Sequence, residues 1–287
     1  MQELIVVVGA GAMGRGIAQV AALAGFHVLL SDVSEELAGQ ASSAIRAAVK
    51  RQAEKGGLAE EEAEVMARIS VWGGAWAALP GERRVVLGIE AVPEELQVKR
   101  EVLQRLEARL PSEAILASNT SSIPISELAE ALATPDRLVG MHFFNPPTRI
   151  KVVEVIRGEA TSPHAFARAL ALVRALGHEP LGVERELPGF VLNRIAMAAS
   201  NEAIRLLELG IASAEAIDAG VKGAFGWKMG PLETADLVGL DVVLAARTAI
   251  FERTGDERFR PPELVRRLVE AGRLGRKTGQ GFHRYEK

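Results

Sequence analysis

The beginning of the chain contains the pattern that most constrains its fold. A continuous apolar run at residues 4–8 ends at Gly9, and a proline-free stretch of small and apolar residues follows from 12 to about 24. The run is typical of a parallel strand buried on both faces, and the stretch after it predicts a helix. Gly25 ends that helix before a second apolar run at 27–30. The sequence therefore predicts a βαβ unit, and with it a parallel sheet.

The turn between the first strand and the helix is rich in glycine. It includes Gly9, Gly11, Ala12, Met13 and Gly14. Glycines at these positions allow a tight turn, close approach of the backbone to a pyrophosphate, and close packing of helix on strand. The free N–H groups and the partial positive charge of the helix N-terminus favour phosphates. We therefore predict that this segment binds a dinucleotide.

Asp32 is the residue expected to select the cofactor. It ends the second strand, 23 residues after Gly9. A carboxylate in this place accepts hydrogen bonds from both ribose hydroxyls of the adenosine and repels a 2′-phosphate. The pattern therefore predicts NAD rather than NADP. The alternative is a glycine turn and a helix-capping aspartate that bind no ligand.

Strand-like and helical patterns alternate over residues 1–184. Ser34 is placed to cap a long helix that runs to about Lys55, and a shorter acidic helix is predicted at 59–68. Further strands are predicted at 69–72, 85–91, 115–118, 138–143, 152–156 and 179–183, and further helices at 94–109, 125–133 and 163–176. We therefore predict an α/β fold with a doubly wound, mostly parallel Rossmann-type sheet in residues 1–184.

The rest of the chain has no strand-like runs. Helical patterns continue through residues 185–287, at 190–209, 213–220, 232–254 and 262–271. We therefore predict a smaller all-α domain in this part, which would complete the substrate site.

Composition excludes several classes of protein. With 48% hydrophobic and 25% charged residues, the chain is neither disordered nor fibrous. Its 34 basic and 37 acidic residues give a net charge of −3, which offers no field for binding nucleic acid or a membrane surface. The chain has no cysteine, and its five histidines lack metal-ligand spacing, so no metal is expected. The first apolar run is too short for a signal peptide or a membrane span, which indicates a cytoplasmic protein.

Polar residues follow two neighbouring predicted strands. Asn119 and Ser121 come after one strand, and His142 and Asn145 lie at the end of the next. Because open parallel sheets bind ligands beyond the carboxyl ends of their strands, we expect these side chains to converge on one crevice. His142 is the acid–base candidate there, although a lone histidine among apolar residues is more often a core residue.

Glu154 is the predicted partner of His142. It interrupts the apolar run at 152–156, where an unpaired carboxylate would be costly to bury. A carboxylate that accepts from one imidazole nitrogen fixes the tautomer, stabilises the imidazolium and leaves the other nitrogen to take a substrate proton. The alternative is that Glu154 faces solvent at a sheet edge.

Nine segments together resemble one family across nearly the whole chain. They lie at 9–14, 90–94, 117–122, 140–146, 153–156, 188–194, 229–233, 239–241 and 281–282. On these motifs the chain resembles the L-3-hydroxyacyl-CoA dehydrogenases, in particular the short bacterial 3-hydroxybutyryl-CoA dehydrogenases. The resemblance implies reversible, NAD-dependent oxidation of an (S)-3-hydroxyacyl-CoA to the 3-oxoacyl-CoA, in fatty acid β-oxidation or butanoate metabolism. It also implies a homodimer formed through the helical domain.

The same resemblance implies roles for individual catalytic residues. His142 would be the general base on the substrate 3-hydroxyl, Glu154 its orienting partner, and Ser121 a ligand of the reacting oxygen. Asn193, on the first helix of the second domain, would face the histidine and contact substrate. The alternative is that Asn193 is an ordinary polar residue at the start of a helix.

Further residues are expected to bind the cofactor or coenzyme A. Besides the glycine-rich turn, the predicted NAD contacts are Asp32, Glu94, Lys99, Asn119, Ser121, Asn145 and, in a C-terminal loop, Lys277. Lys55 aligns with a lysine that contacts the coenzyme A portion of the substrate, where a cation near phosphate is favourable. Both Lys55 and Lys277 have the alternative of being solvated surface charges.

Two other functions remain open at the level of sequence. One is a related dehydrogenase of sugar acids or short hydroxy acids, because a fold does not determine a substrate. The other is an NAD-binding protein without turnover. The presence of both His142 and Glu154 argues against the second.

Overall fold

The computed structural model describes residues 3–73 and 83–286. The chain divides into two compact units, Met1–Leu187 and Pro188–Lys287. The predicted boundary between residues 184 and 185 lies three residues before this division.

The first unit alternates strands and helices. In chain order it contains β1 (Glu3–Val8), α1 (Ala12–Leu23), β2 (His27–Ser31), α2 (Glu35–Glu54), α3 (Glu62–Ala67), β3 (Ile69–Val71), β4 (Arg84–Glu90), α4 (Leu96–Arg109), β5 (Ile115–Ser118), α5 (Ile125–Ala129), β6 (Leu138–Phe143), β7 (Val152–Ile156), α6 (Pro163–Ala175) and β8 (Glu179–Val183). Within the described residues, eight strands form one sheet in the order β3-β2-β1-β4-β5-β6-β7-β8. The predicted Rossmann-type fold class is confirmed.

Strands of this sheet are apolar because they are buried on both faces. In β1, residues 4–8 are each at most 4% exposed, and they pack in the core with side chains from β2, β4 and α1. Continuous apolar runs of this kind have no solvent face to alternate with. For this reason β5, β6 and β7 have the bounds that the sequence predicts. β8 also has its predicted bounds, although most of its residues are exposed or half-buried.

One pair of strands in the sheet is antiparallel. β6 and β7 run in opposite directions, and their register pairs Gly140 with Ile156 and Phe143 with Val153. The other neighbouring strands of the sheet are parallel. The start of β7 therefore lies beside the carboxyl end of β6, where a parallel sheet places its ligand site.

Two predicted helices of the first unit are shorter than expected. The helix predicted at 59–68 is Glu62–Ala67, and the one predicted at 125–133 ends at Ala129. After Ala129, the Glu107 carboxylate accepts hydrogen bonds from the backbone N–H groups of Ala133 and Thr134. Those N–H groups are the ones that a longer helix would use, so the side chain ends the helix.

The second unit is helical, as predicted, but its helices are divided differently. They are α7 (Leu192–Glu208), α8 (Ala214–Phe225), α9 (Pro231–Val238), α10 (Leu240–Thr254) and α11 (Glu263–Glu270). The single helix predicted at 232–254 is wrong: Gly239, with φ of +101°, separates α9 from α10. Gly220 was expected to end α8, but the helix continues to Phe225 and ends at Gly226, whose φ is +70°. A glycine inside a helix costs stability without stopping it, whereas a left-handed residue stops it.

Two buried aspartates attach the last residues of the sequence to this unit. Asp236 accepts hydrogen bonds from the backbone N–H groups of Phe282 and His283, both at 2.9 Å, and from the Tyr285 hydroxyl at 3.0 Å. Asp218 contacts His283 Nε2 at 2.7 Å and also accepts from the first N–H groups of α9. We call residues 281–285, held in this way, the C-terminal clasp.

Candidate active site

The glycine-rich turn has the shape that a dinucleotide requires. Gly9 has φ of +98°, and a Cβ on it would lie 2.6 Å from the Ala91 carbonyl carbon. A Cβ on Gly14 would overlap the Gly9 carbonyl oxygen, so α1 packs closely on the turn. At Gly11, in contrast, a Cβ would meet nothing within 4 Å. The open side of Gly11 at the N-terminus of α1 is therefore suited to the close approach of a phosphate group.

Asp32 is positioned by the same turn. Its Oδ2 accepts a hydrogen bond from the Ala10 backbone N–H at 2.5 Å, and Oδ1 accepts from Val33 N–H at 2.7 Å. A cavity of about 600 Å³ lies beside it. The cavity is lined by residues of the turn, by Asp32 and Val33, and by Val98, Val102 and Arg105 of α4 among others. A carboxylate at one side of a largely apolar cavity fits the adenosine half of NAD.

His142 and Glu154 are cross-strand neighbours. The antiparallel register of β6 and β7 pairs them directly, and His142 Nδ1 lies 2.7 Å from Glu154 Oε2. The histidine side chain is 7% exposed and the glutamate side chain 0%. The ring of Phe144 packs against the imidazole, with 4.5 Å between ring centroids. A buried carboxylate at hydrogen-bond distance from Nδ1 holds the imidazole in one orientation.

Asn119 braces the strand that carries the histidine. Its Oδ1 accepts a hydrogen bond from the Phe143 backbone N–H at 3.0 Å, and its own backbone N–H donates to the Glu90 carbonyl oxygen. The side chain therefore links the carboxyl ends of β5 and β6, and the backbone N–H of the same residue links β5 to β4. A direct contact between Asn119 and NAD stays a prediction.

Glu94 organises the segment that contains Ser121. Its Oε1 accepts from the backbone N–H groups of Ser121 (2.8 Å) and Ser122 (2.9 Å) and from the Thr120 hydroxyl (2.6 Å). The Ser121 hydroxyl donates to the same oxygen at 3.3 Å. Burial raises the pKa of Glu94, but Lys99 and these donors outweigh it and lower the pKa to about 2. Glu94 is therefore an anion throughout the pH range in which enzymes work.

Lys99, a predicted NAD contact, has its ammonium surrounded by protein acceptors. Its side chain is 1% exposed, and Nζ lies 3.0 Å from both carboxylate oxygens of Glu90, 3.2 Å from Glu94 Oε2 and 3.3 Å from the Val92 carbonyl oxygen. These acceptors are enough to engage all three donors of an ammonium. We therefore expect Lys99 to hold Glu94 in place rather than to contact NAD itself.

Glu90 is a buried site residue that the sequence analysis did not select. Besides Lys99, it accepts hydrogen bonds from the Ser118 hydroxyl and the Val92 backbone N–H. Burial raises the pKa of Glu90, and Lys99 and Ser118 oppose this only in part. The signal in the sequence is a carboxylate at the last position of an apolar strand, where it needs a buried partner.

The remaining predicted site residues lie on other segments of the chain. Lys55 is exposed at the C-terminal end of α2, and Asn145 is exposed just after β6. Asn193 lies in the first turn of α7 and is half-buried. Lys277 Nζ contacts the two carboxylate oxygens of Asp241 at 2.5 and 2.7 Å, within the helical unit. Binding of a cofactor phosphate by Lys277 would have to compete with that ion pair.

No group of three or more histidine, aspartate or glutamate side chains in residues 3–73 and 83–286 is placed to hold a metal ion. None of the helices in those ranges is long and apolar enough to cross a membrane.

Comparison with known proteins gives consistent matches over both units. The family model for the 3-hydroxyacyl-CoA dehydrogenase NAD-binding domain matches residues 4–187, and the model for the C-terminal domain of that family matches residues 189–285. A probable 3-hydroxybutyryl-CoA dehydrogenase of Bacillus subtilis is 42% identical over 98% of this chain and 97% of its own length. The 3-hydroxybutyryl-CoA dehydrogenase of Bradyrhizobium diazoefficiens is 42% identical over 97% of this chain and 94% of its own length.

Solved structures agree with these matches. The crystal structure of (S)-3-hydroxybutyryl-CoA dehydrogenase from Ralstonia eutropha superposes with a TM-score of 0.90 at 37% identity. The alignment covers 100% of both chains.

Proposed function

Because the chain belongs to the 3-hydroxyacyl-CoA dehydrogenase family, we propose that its substrate is (S)-3-hydroxybutyryl-CoA and that His142 and Glu154 form its proton relay. Family membership makes the protein an NAD-dependent oxidoreductase that converts 3-hydroxyacyl-CoA to 3-oxoacyl-CoA, as the sequence predicts. The preference for a four-carbon acyl group is supported by the names of the most similar relatives.

The observation that carries the relay is the buried contact between His142 Nδ1 and Glu154 Oε2 at 2.7 Å. In oxidation, Nε2 of the imidazole takes the proton of the 3-hydroxyl, and Glu154 stabilises the imidazolium through the Nδ1–H hydrogen bond. In reduction, the same imidazolium returns the proton to the carbonyl oxygen. One proton thus moves between His142 and substrate in each turnover.

The dinucleotide site is assigned to the first unit. Gly9, Gly11 and Gly14 with the N-terminus of α1 would hold the pyrophosphate, and Asp32 would hold the adenosine ribose. Bound NAD supplies the acceptor for the hydride that leaves C3. The open face of Gly11 and the cavity beside Asp32 support this assignment.

Ser121 is proposed to contact the reacting oxygen. Its backbone N–H is held by Glu94, so the position of its hydroxyl follows from the position of that carboxylate. A hydroxyl can accept from the substrate alcohol and donate to the product carbonyl, which suits a reversible reaction. Asn193 stays a predicted substrate contact that the family resemblance alone supports.

Three further proposals concern substrate, assembly and location. Lys55 would bind a phosphate of coenzyme A, which its exposed position at the end of α2 supports. The helical unit would form a homodimer, because it exposes large apolar side chains such as Ile211 (68%) and Phe225 (71%). Light scattering tests the dimer, and cell fractionation tests the expected cytoplasmic location.

The test of the proposed function is consumption of NADH in the presence of acetoacetyl-CoA, with His142→Gln as the matched inactive variant. We expect the wild-type protein to turn over this substrate and His142→Gln to bind NADH without appreciable turnover. A wild-type protein that binds NADH but reduces a short 3-oxo acid faster than the CoA thioester would instead support the hydroxy-acid dehydrogenase alternative. Binding without turnover of either substrate would support the non-catalytic alternative.

A further inference from the structure

A lysine and two glutamates form a buried cluster next to the Ser121 segment. Glu90 is completely buried and Lys99 is 1% exposed. Lys99 Nζ lies 3.0 Å from both oxygens of Glu90 and 3.2 Å from Oε2 of Glu94. The two carboxylates thus share the ammonium of Lys99. The other oxygen of Glu94, Oε1, contacts residues 120–122 instead.

Oε1 of Glu94 holds the segment 120–122 in place. It accepts from two backbone N–H groups and from the hydroxyls of Thr120, Ser121 and Ser122. An ionised carboxylate accepts more of these hydrogen bonds than a protonated one, which carries an O–H donor of its own. The position of Ser121 therefore depends on Glu94 remaining charged.

The surroundings of Glu94 show what keeps it charged. The titratable groups that face it among the described residues are Lys99 from α4 and Glu90 from β4, while the segment 120–122 contributes amides and hydroxyls. Burial alone would raise the pKa of Glu94, and Lys99 is the largest influence that opposes burial. Glu90 in turn anchors Lys99, because it contacts Nζ with both of its oxygens.

We propose that Lys99, anchored by Glu90, is a positioning residue that keeps Glu94 ionised and oriented so that Glu94 holds the Ser121 hydroxyl at the reacting oxygen. This inference rests on the proposed function, in which Ser121 contacts that oxygen. Lys99 acts through Glu94 and does not reach substrate or cofactor itself, because its ammonium is enclosed by protein acceptors.

The test is the pH dependence of kcat/KM for acetoacetyl-CoA reduction by NADH in Lys99→Met. Reduction starts from protonated His142, so lowering the pH does not remove the active form of the histidine. A fall of kcat/KM at low pH, which we call an acid limb, therefore reports the protonation of another group. In the wild-type enzyme Glu94, with a pKa of about 2, gives no limb in the assay range. In Lys99→Met, burial still raises the pKa of Glu94 but the ammonium is gone. We expect that pKa to rise by at least about 2 units and to produce a new acid limb.

Three further variants separate charge from structure. Lys99→Gln keeps a hydrogen-bond donor in the buried position and removes only the charge, so it should show the same limb. Glu90→Gln leaves the ammonium beside Glu94, so it should lower kcat without creating an acid limb. Arg100→Met is the matched control, because Arg100 is the next cation on α4 but bonds to Glu130 and to the Glu127 carbonyl oxygen. Its pH profile should equal that of the wild type.

Several results would overturn the proposal. A folded Lys99 variant with normal NADH affinity and the wild-type pH profile would do so, as would the same acid limb in Glu90→Gln. The limb must also disappear in the double variant Lys99→Met/Glu94→Gln, because the carboxyl of Glu94, to which the proposal assigns the limb, is gone. If neither Lys99 variant folds, a carboxyl-carbon NMR titration of wild-type Glu94 decides, since a pKa at or above the ordinary value contradicts the proposal. The proposed contact between Ser121 and the reacting oxygen fails if Ser121→Ala retains the wild-type kcat. The proposed function fails separately, if the wild-type protein does not oxidise NADH in the presence of acetoacetyl-CoA.

Discussion

The contact between His142 and Glu154 predicts how activity falls when each residue is changed. In Glu154→Gln the amide oxygen can still accept from Nδ1–H, because the register of β6 and β7 keeps the two side chains opposite each other. What is lost is the negative charge 2.7 Å from the imidazole. A hydrogen bond to a charged group contributes about 1.5 to 3 kcal/mol. The neutral hydrogen bond that remains contributes about 0.5 to 1.5 kcal/mol, so the loss is about 1 to 1.5 kcal/mol and we expect kcat to fall about 5- to 13-fold.

The same reasoning fixes the behaviour of the double variant. His142→Gln removes the general base and should lower kcat by about 10²- to 10⁴-fold, with NADH affinity retained. Glu154 acts only through the histidine, so adding Glu154→Gln to His142→Gln should cost little more. Steady-state kinetics of acetoacetyl-CoA reduction measure the rates, and NADH fluorescence measures cofactor binding. Fully additive losses would refute the relay, because they would mean that Glu154 contributes independently of His142.

Three further predictions concern the cofactor, the substrate and stability. Asp32→Asn keeps an acceptor for the Ala10 N–H but removes the charge that repels a 2′-phosphate, so the preference for NADH over NADPH should decrease. Equal kcat/KM values for the two cofactors in the wild type would contradict the role of Asp32. Lys55→Ala should raise KM for acetoacetyl-CoA without lowering kcat and should leave an acetoacetyl-pantetheine analogue unaffected; an equal effect on both substrates would remove Lys55 from the coenzyme A site. Asp236→Asn cannot accept all three hydrogen bonds of the C-terminal clasp, so urea unfolding should show a free energy of unfolding lower by about 1 to 3 kcal/mol for each buried group left unsatisfied. Tyr285→Phe should lower it by less, and equal losses in the two variants would contradict this account.

The parts of the fold that the sequence predicts are those with a local cause. Apolar runs buried on both faces define β5 to β7, and the glycine-rich turn is recognisable because its glycines meet steric conditions within a few residues. The pairing of His142 with Glu154 was also predictable, because a carboxylate in an apolar strand needs a partner. The antiparallel direction of β7 was not, because it depends on how the connection from β6 folds back.

The enclosure of Lys99 shows a different limit. Resemblance placed this lysine among the cofactor ligands, whereas the structure places its ammonium between two carboxylates. Helical spacing contained a usable signal, since Lys99 shares the buried face of α4 with Leu103 and Leu106, four and seven positions further on. A lysine on such a face must be paired. The pattern of α4 does not identify its partner Glu90, however, because Glu90 lies on another element, β4.

The C-terminal clasp has a consequence for the order in which the chain is made. The first unit, Met1–Leu187, has all of its strands once its own residues have left the ribosome, so it can fold while synthesis continues. The helical unit cannot be completed at that stage, because three hydrogen-bond partners of Asp236 and one of Asp218 come from residues 282–285. In nascent chains that are halted before those residues emerge, the first unit should therefore resist protease and the second unit should be cleaved.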